Sequence, residues 1–489
     1  MKGLYRWLNV RLDIASLKRT LLDREVPARL TWWHTLGSAT LTVFLVQVAT
    51  GVVLATYYAP SPDHAYDSVQ YLDARVAGGA LLHGMHHWAA SAMVVLIIAH
   101  VIRVFAVGAY KYPREPNWLV GVGLFLIVVA FSFTGYLLPW DEKAYWATAV
   151  GTNIAGTTPL LGGALATLLR GGAELGAATL ARFYAFHVLW LPSALGALIL
   201  LHLTIVVRQG IAAQPAALER GAPRRTDDPS YASYYRDAYA ATKRAWVRFW
   251  PDVLAKDAVV SLVVVAAIIV LAARFGAPLE PPANPADTAY VPRPEWYFLP
   301  LYELLRIVPG SLESVVAVGV PAALVLAMIA LPLLDRRATR NLLHRPVAAT
   351  ALVVLLGGSG LLLGVAARSA PPKVPPEVGH PLTILENAGR SLFAAEQCQN
   401  CHQVAGQGGA FGPDLTDIGL HHSPAWLHSF VETPARFHRD SRMPAFGPPT
   451  LSHEEIEELA QYLSTLRGNA GPAVEPQYAD TFPSASEGP

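Results

Sequence analysis

Charge is scarce in this sequence. Only 15% of its 489 residues are Asp, Glu, Lys or Arg, where soluble globular chains carry about a quarter. A purely soluble enzyme is excluded on that ground. The 37 basic residues nearly cancel the 36 acidic ones, leaving a net charge of +1, so no global positive field recommends a nucleic acid as partner. Cysteine is rarer still, with two in the whole chain, Cys398 and Cys401, followed directly by His402. A disulfide framework is excluded, and so is a zinc site built on two cysteine pairs. Residues 1–34 lack the apolar core and small-residue cleavage site of a signal peptide, and read instead as a basic amphipathic segment on the cytoplasmic membrane surface.

Apolar residues are abundant, at 53%, and they gather into runs long enough to cross a bilayer, which takes about 20 residues. Seven spans, A to G, are predicted at 35–57, 80–106, 117–138, 183–207, 253–273, 314–334 and 347–368. Twenty-one Lys and Arg fall in the N-terminal segment and in the B–C, D–E and F–G connections, against seven in the A–B, C–D and E–F connections. By the positive-inside rule the N-terminus is cytoplasmic in a bacterial inner membrane, and everything beyond span G lies on the outer, periplasmic face.

That outer piece begins with a Pro-rich linker at 371–381, continues as a small domain over 382–468, and ends in a polar Pro/Ser tail, 469–489, that reads as disordered. Cys398-Gln399-Asn400-Cys401-His402 has the spacing that attaches a c-type haem: two thioether bonds to the cysteines and iron on the adjacent histidine. Methionine supplies the usual second axial ligand. Of five methionines, Met1, Met85, Met93 and Met328 belong to the membrane part, which leaves Met443, 41 residues beyond His402. His421, His422, His428, His438 and His453 are the competitors. The stretch Gly412-Pro413-Asp414-Leu415 is placed to offer a backbone carbonyl to the ring N–H of His402.

Histidines inside membrane spans are functional suspects. Span B carries His86 and His100, 14 residues apart; span D carries His187 and His202, 15 apart. At 100° per residue these separations return to within about 40–60° of one face, and the 1.5 Å rise sets each pair about 21 Å apart. Spans B and D run in the same direction, so His86 meets His187 near the outer surface and His100 meets His202 near the inner one. Two bis-histidine haem sites stacked across the bilayer follow. Gly37 and Gly51 on span A, and Gly121 and Gly135 on span C, repeat the 14-residue step and give the flat macrocycles side-chain-free surfaces. His83 and His87, beside His86, meet a haem propionate or line the interface; His34 and His64 read as surface residues.

These residues, with Phe44 to Gly51, Gly135-Tyr136-Leu137-Leu138-Pro139-Trp140-Asp141, Arg182 to His187 and Pro294-Glu295-Trp296-Tyr297, resemble cytochrome b of the Rieske/cytochrome b complexes. The resemblance covers about residues 1–370 and is closest to the plastid-type arrangement, a four-helix cytochrome b followed by the three-helix subunit IV, here in one chain. The C-terminal domain is similar to class I cytochrome c. The implied fold is all-α: a transmembrane bundle of a four-helix dihaem cage (35–210), a cytoplasmic loop (211–250) and a three-helix quinol-site domain (251–370), with a small all-α cytochrome c domain.

The resemblance implies a quinol:cytochrome c oxidoreductase subunit that translocates protons. Quinol would be oxidised at an outer site between the C–D and E–F loops, with Glu295 as proton acceptor and Tyr136, Tyr297, Pro294 and Trp296 around it. One electron would go to a separate Rieske iron–sulfur protein; the other would pass through two b haems to quinone at the inner face. The c-type haem would hand electrons to a soluble cytochrome c or a terminal oxidase, and a homodimer is implied by the family. Arg103 and Arg182 are expected haem contacts, and Arg103, Lys111, Arg114 and Arg208 candidates around the inner haem and quinone. Thr35 stands where the plastid-type family tethers an extra haem through cysteine, so no covalent inner-face haem is expected. The alternative is a dihaem b/c relay between a dehydrogenase and the quinone pool, without bifurcation. A transporter with a haem accessory domain finds no internal repeat to support it.

Overall fold

Positive-φ glycines end several of the apolar runs. Gly210 and Gly276, at φ 74° and 61°, follow the fourth and fifth spans directly, and this left-handed backbone favours glycine. In the computed structural model the described residues are 2–27, 30–242, 246–285, 293–309, 312–368, 382–404, 407–409, 412–438, 441, 443–468 and 476–482. Among them seven helices are long and apolar enough to cross a membrane: Trp32–Tyr57, Gly79–Ala106, Glu115–Tyr136, Ala177–Gln209, Phe249–Phe275, Val315–Leu334 and Pro346–Arg368. All seven overlap spans A to G.

In chain order the helices are α1 (Lys2–Leu12), α2 (Ile14–Leu21), α3 (Leu36–Tyr57), α4 (Ala65–Arg75), α5 (Gly79–Ala106), α6 (Glu115–Tyr136), α7 (Glu142–Gly156), α8 (Gly162–Arg170), α9 (Ala177–Ala185), α10 (Leu191–Gln209), α11 (Pro215–Glu219), α12 (Tyr231–Thr242), α13 (Leu254–Phe275), α14 (Leu299–Ile307), α15 (Val320–Leu334), α16 (Pro346–Arg368), α17 (Ile384–Ala395), α18 (Ile418–His421), α19 (Pro424–Glu432), α20 (Pro434–Phe437) and α21 (His453–Thr465). Two short antiparallel pairs, β1 (Glu25–Pro27) with β2 (Trp246–Arg248) and β3 (Gln403–Val404) with β4 (Gln407–Gly408), are the only strands among the described residues. The fold is otherwise helical, as the sequence predicts.

The chain divides into two units, 1–282 with 309–358 and 283–308 with 359–489. In the first, α3 packs on α5, α13 on both, and α6 on α10. Val43, Ala89, Met93, Ile97, Val128, Leu195 and Ile268 form the buried centre. The expected N-terminal amphipathic segment is broken in two: Asp13 takes φ 45° and its carboxylate accepts from Ser16 N, capping α2.

The loops at one end of this bundle meet at a buried charged hub. Lys111 Nζ gives its three protons to Asp335 Oδ1 (2.8 Å), Arg337 O (2.8 Å) and Thr339 O (2.6 Å). Arg345 donates to Tyr110 Oη (2.8 Å) and Phe105 O (2.7 Å), and Arg340 to Gly108 O (2.8 Å) and Tyr112 O (2.7 Å). These bonds tie the end of α5 and the α5–α6 turn to the α15–α16 turn. Burial nonetheless lowers the Lys111 pKa to about 8, because desolvation outweighs the raising effect of Asp335.

In the second unit, α17, α19 and α21 enclose a core of Phe393, Trp426, Leu427, Ile456, Leu459 and Leu463. The linker 371–381 lies outside the described residues. The tail corrects one expectation. Residues 476–482 are not free of the domain: Gln477 N donates to Leu420 O (3.0 Å), Ala479 N to His421 O (2.9 Å), and Trp426 Nε1 to Thr481 O (3.1 Å). Asp480 accepts from Ser423 N at 3.3 Å and faces His422 Nδ1 at 3.1 Å, so this polar segment is strapped to the domain.

Candidate haem and quinone sites

His86 sits on α5 and His187 in a π-helical turn, Phe186–Trp190, between α9 and α10. That turn takes in one extra residue. A 15-residue spacing on a helix with one extra residue presents the same face as 14 on a regular helix, so the histidines of both helices align. The rings of His86 and His187 are 6.3 Å apart, centre to centre. Two metal–imidazole bonds of about 2 Å each, with the half-widths of the rings, sum to roughly 6 Å.

Threonines set the tautomers. Thr50 Oγ1 donates its one proton to Val46 O (2.7 Å) and stands 2.9 Å from His86 Nδ1. It therefore accepts from the imidazole, which leaves the Nε2 lone pair to bind iron. Thr134 repeats the arrangement, donating to Ala130 O (2.9 Å) and lying 3.1 Å from His187 Nδ1. The predicted glycines meet the same rings. A Cβ at Gly51 would lie 3.2 Å from His86 Cε1, one at Gly135 2.5 Å from His187 Cε1, one at Gly37 3.3 Å from His100 Cε1, and one at Gly121 3.9 Å from His202 Cε1. Each of the four glycines thus faces one of the four histidines. The donor set, the ring separation and the glycine surfaces fit b-type haem.

The other expected contacts divide. Arg103 has a buried Nε with no partner among the described residues, which suits an anionic haem or quinone group. Lys111 and Arg114 do not have that freedom: Lys111 is saturated in the hub, and Arg114 donates to Tyr235 Oη (2.6 Å) and Gly210 O (3.2 Å). Arg208 is exposed. Arg182 is corrected. It is exposed and gives its guanidinium to Leu168 O and Thr167 O, near the end of α8, which draws it away from the cage. His83 pairs with Asp73 at 3.0 Å, and His87 sets its ring edgewise on Trp88. His64 is exposed as expected, whereas His34 is half-buried, with Nδ1 3.1 Å from Thr31 N.

Asp257 is a buried carboxylate that the expected site residues do not include. It is 8% exposed on α13, and Ser38 Oγ lies 2.7 Å from its Oδ1 and 2.8 Å from Thr35 O. Ser38 has one proton and two acceptors. Given to Asp257 Oδ1, that proton ties α3 to α13. Ser38 adjoins Gly37, the residue that faces His100. A single carboxylate inside span E was the available signal.

In the second unit, Pro294-Glu295-Trp296-Tyr297 forms the turn that opens α14, with Phe298 N on Glu295 O at 2.8 Å. Arg293, two residues before Glu295, donates to Ala366 O. Tyr136, in the first unit, has Lys143 Nζ 5.4 Å from its ring centre. In the cytochrome c-like domain, His402 Nδ1 is 2.9 Å from Pro413 O, the carbonyl contact expected. A Cβ at Gly412 would lie 2.6 Å from His402 Cε1. Cys398 and Met443 pack on one apolar cluster, and burial pushes the Cys398 thiol up to about 12. Among the competing histidines, His422 is stacked on Trp426 and paired with Asp480, His453 with Glu432 and His421 with Asp417. These residues fit a covalently held c-type haem.

Comparison with known proteins gives the same division. Residues 21–210 match the family profile Cytochrome b/b6/petB, 282–385 match Cytochrome b(C-terminal)/b6/petD, and 385–463 match Cytochrome C oxidase, cbb3-type, subunit III. The menaquinol:cytochrome c reductase cytochrome b subunit of Geobacillus thermodenitrificans is 47% identical over 219 residues, 43% of this chain and 98% of that protein. Cytochrome b6 of Prochlorothrix hollandica is 41% identical over 209 residues, 43% of this chain and 94% of that one. A solved structure described as a hyperthermophilic respiratory Complex III aligns with TM-score 0.63 and 27% identity over 80% of this chain and 95% of its own. With a relative this similar matched over nearly its whole length, the chain belongs to the cytochrome b family of quinol:cytochrome c reductases, as a multi-pass membrane subunit extended by a cytochrome c domain.

Proposed function

We propose that this chain oxidises quinol at its outer face and reduces quinone at its inner face, with a Rieske iron–sulfur protein as partner and an attached c-type domain as exit carrier. The facing His86 and His187, each with its tautomer set by a threonine, carry the reading. His86 with His187 and His100 with His202 would hold two b-type haems, and Cys398, Cys401, His402 and Met443 one c-type haem. When bound, these haems supply one-electron carriers, so that the two electrons of quinol separate between the Rieske protein and the b haems. A soluble cytochrome c or terminal oxidase would take electrons from the c-type domain.

The chain's own residues handle the protons. Glu295 takes one from quinol, its carboxylate acting as a general base beside Trp296 and Tyr297. Asp257, through Ser38, offers one to reduced quinone at the inner side. Arg103, with its unpartnered Nε, holds an anionic oxygen there. The N-terminus and the Lys- and Arg-rich loops are cytoplasmic on this reading, and the c-type domain lies outside.

Replacing Glu295 with Gln tests the assignment. Quinol oxidation is expected to slow by about a hundredfold, within the usual range for general base catalysis, with haem content unchanged in dithionite-reduced spectra. Unchanged turnover would remove the role of Glu295, and a spectrum without b haem in the wild type would remove the whole reading. A relay without bifurcation predicts quinol turnover that does not depend on the Rieske protein.

A further inference from the structure

We propose that the groove between the loop after α11 and the α15–α16 turn binds the phosphate of a membrane phospholipid headgroup. The cavity measures about 570 Å³ and is lined by Glu219, Ala222, Arg224, Arg225, Arg337 and Thr339, among others. It is built by backbone pairing: Ala338 N donates to Arg224 O (3.0 Å), Thr226 N to Arg336 O (2.8 Å), and Arg225 bridges Arg337. Two chain segments more than a hundred residues apart are thereby held side by side with their arginines on one groove.

The carboxylates nearby are already engaged. Glu219 Oε1 accepts from the backbone N–H groups of Arg340 and Asn341. Asp227 binds Arg225 through two 2.8 Å bonds and Arg336 at 3.2 Å. Asp335 is held by Lys111 and Arg345. Among the described residues no ion pair involves Arg224 or Arg337. A groove with two uncompensated guanidiniums calls for an anion with several acceptor oxygens, which phosphate provides. Its source follows from position. Arg337 comes three residues after Leu334, the last residue of a membrane span, so the groove lies at headgroup depth, where basic pockets collect anionic lipid.

The site lies outside the haem and quinone machinery, so its loss is separable from activity. Wild type and an R224A/R337A double variant are placed in nanodiscs of phosphatidylcholine with and without phosphatidylglycerol, and co-purifying lipid is measured by native mass spectrometry. Wild type is expected to retain phosphatidylglycerol about thirtyfold more tightly than the variant, two basic contacts being removed, with haem content and quinol oxidation equal in both. A second arm adds inorganic phosphate to phosphatidylcholine nanodiscs. Phosphate that stabilises the wild type and not the variant, without lipid retention, assigns the site to a soluble phosphate. Equal lipid retention by the two proteins, with equal response to phosphate, overturns the proposal.

Discussion

Thr50 Oγ1 lies 2.9 Å from Nδ1 of His86 and gives its own proton to Val46 O. The hydroxyl can only accept from the ring, so it fixes which nitrogen faces the haem. Replacing Thr50 with Val keeps the shape and removes the acceptor. Haem retention at this position is expected to fall roughly 10–100-fold, as for other losses of a partner behind a metal-binding histidine, with the second b haem and the c haem unaffected. Haem titration of the purified variant measures it.

Gly135 offers a steric counterpart. A Cβ there would come within 2.5 Å of His187 Cε1, whereas a Cβ at Gly196 on α10 meets nothing within 4 Å. Gly135→Ala should therefore displace His187 and lose one b haem of two, while Gly196→Ala keeps both. Pyridine haemochrome ratios distinguish them, and equal ratios would contradict the cage.

Asp257→Asn keeps a hydrogen bond to Ser38 and removes the transferable proton. Quinol oxidation should begin normally and then stall with the b haems reduced, because electrons arriving at the inner side no longer meet a proton. Stopped-flow spectra report this directly. Fast reoxidation in the variant would leave Asp257 a packing residue.

Lys111 gives a pH signature. Its folded pKa of about 8 lies below the ordinary 10.5, so between these values the unfolded chain binds the proton and the folded chain does not. Stability from this group therefore rises as pH climbs from about 8 to about 10.5 and is smallest at neutral pH and below. Lys111→Met should remove that rise. Chemical denaturation of both proteins across the window, followed by tryptophan fluorescence, compares the slopes.

Much of this protein was fixed by chain-local chemistry. Apolar length fixed the seven spans, since a bilayer leaves no other way to satisfy the backbone than a helix of about 20 residues. The Cys-x-x-Cys-His run and the 14-residue steps of His86 and His100, Gly37 and Gly51, and Gly121 and Gly135 needed only helix periodicity to be legible. Long-range pairing was not legible. The 15-residue step from His187 to His202 aligns with the rest because a π-helical turn takes in the odd residue, which no periodicity states in advance. Asp257 meets Ser38 across 219 residues, Lys111 meets Asp335 across 224, and Arg182, with the sequence neighbours of a haem ligand, turns to the carbonyls of α8. Hydrogen-bond partners are chosen by what the fold brings within about 3 Å. A sequence shows which polar groups must find a partner, and only the packed helices decide which one they find.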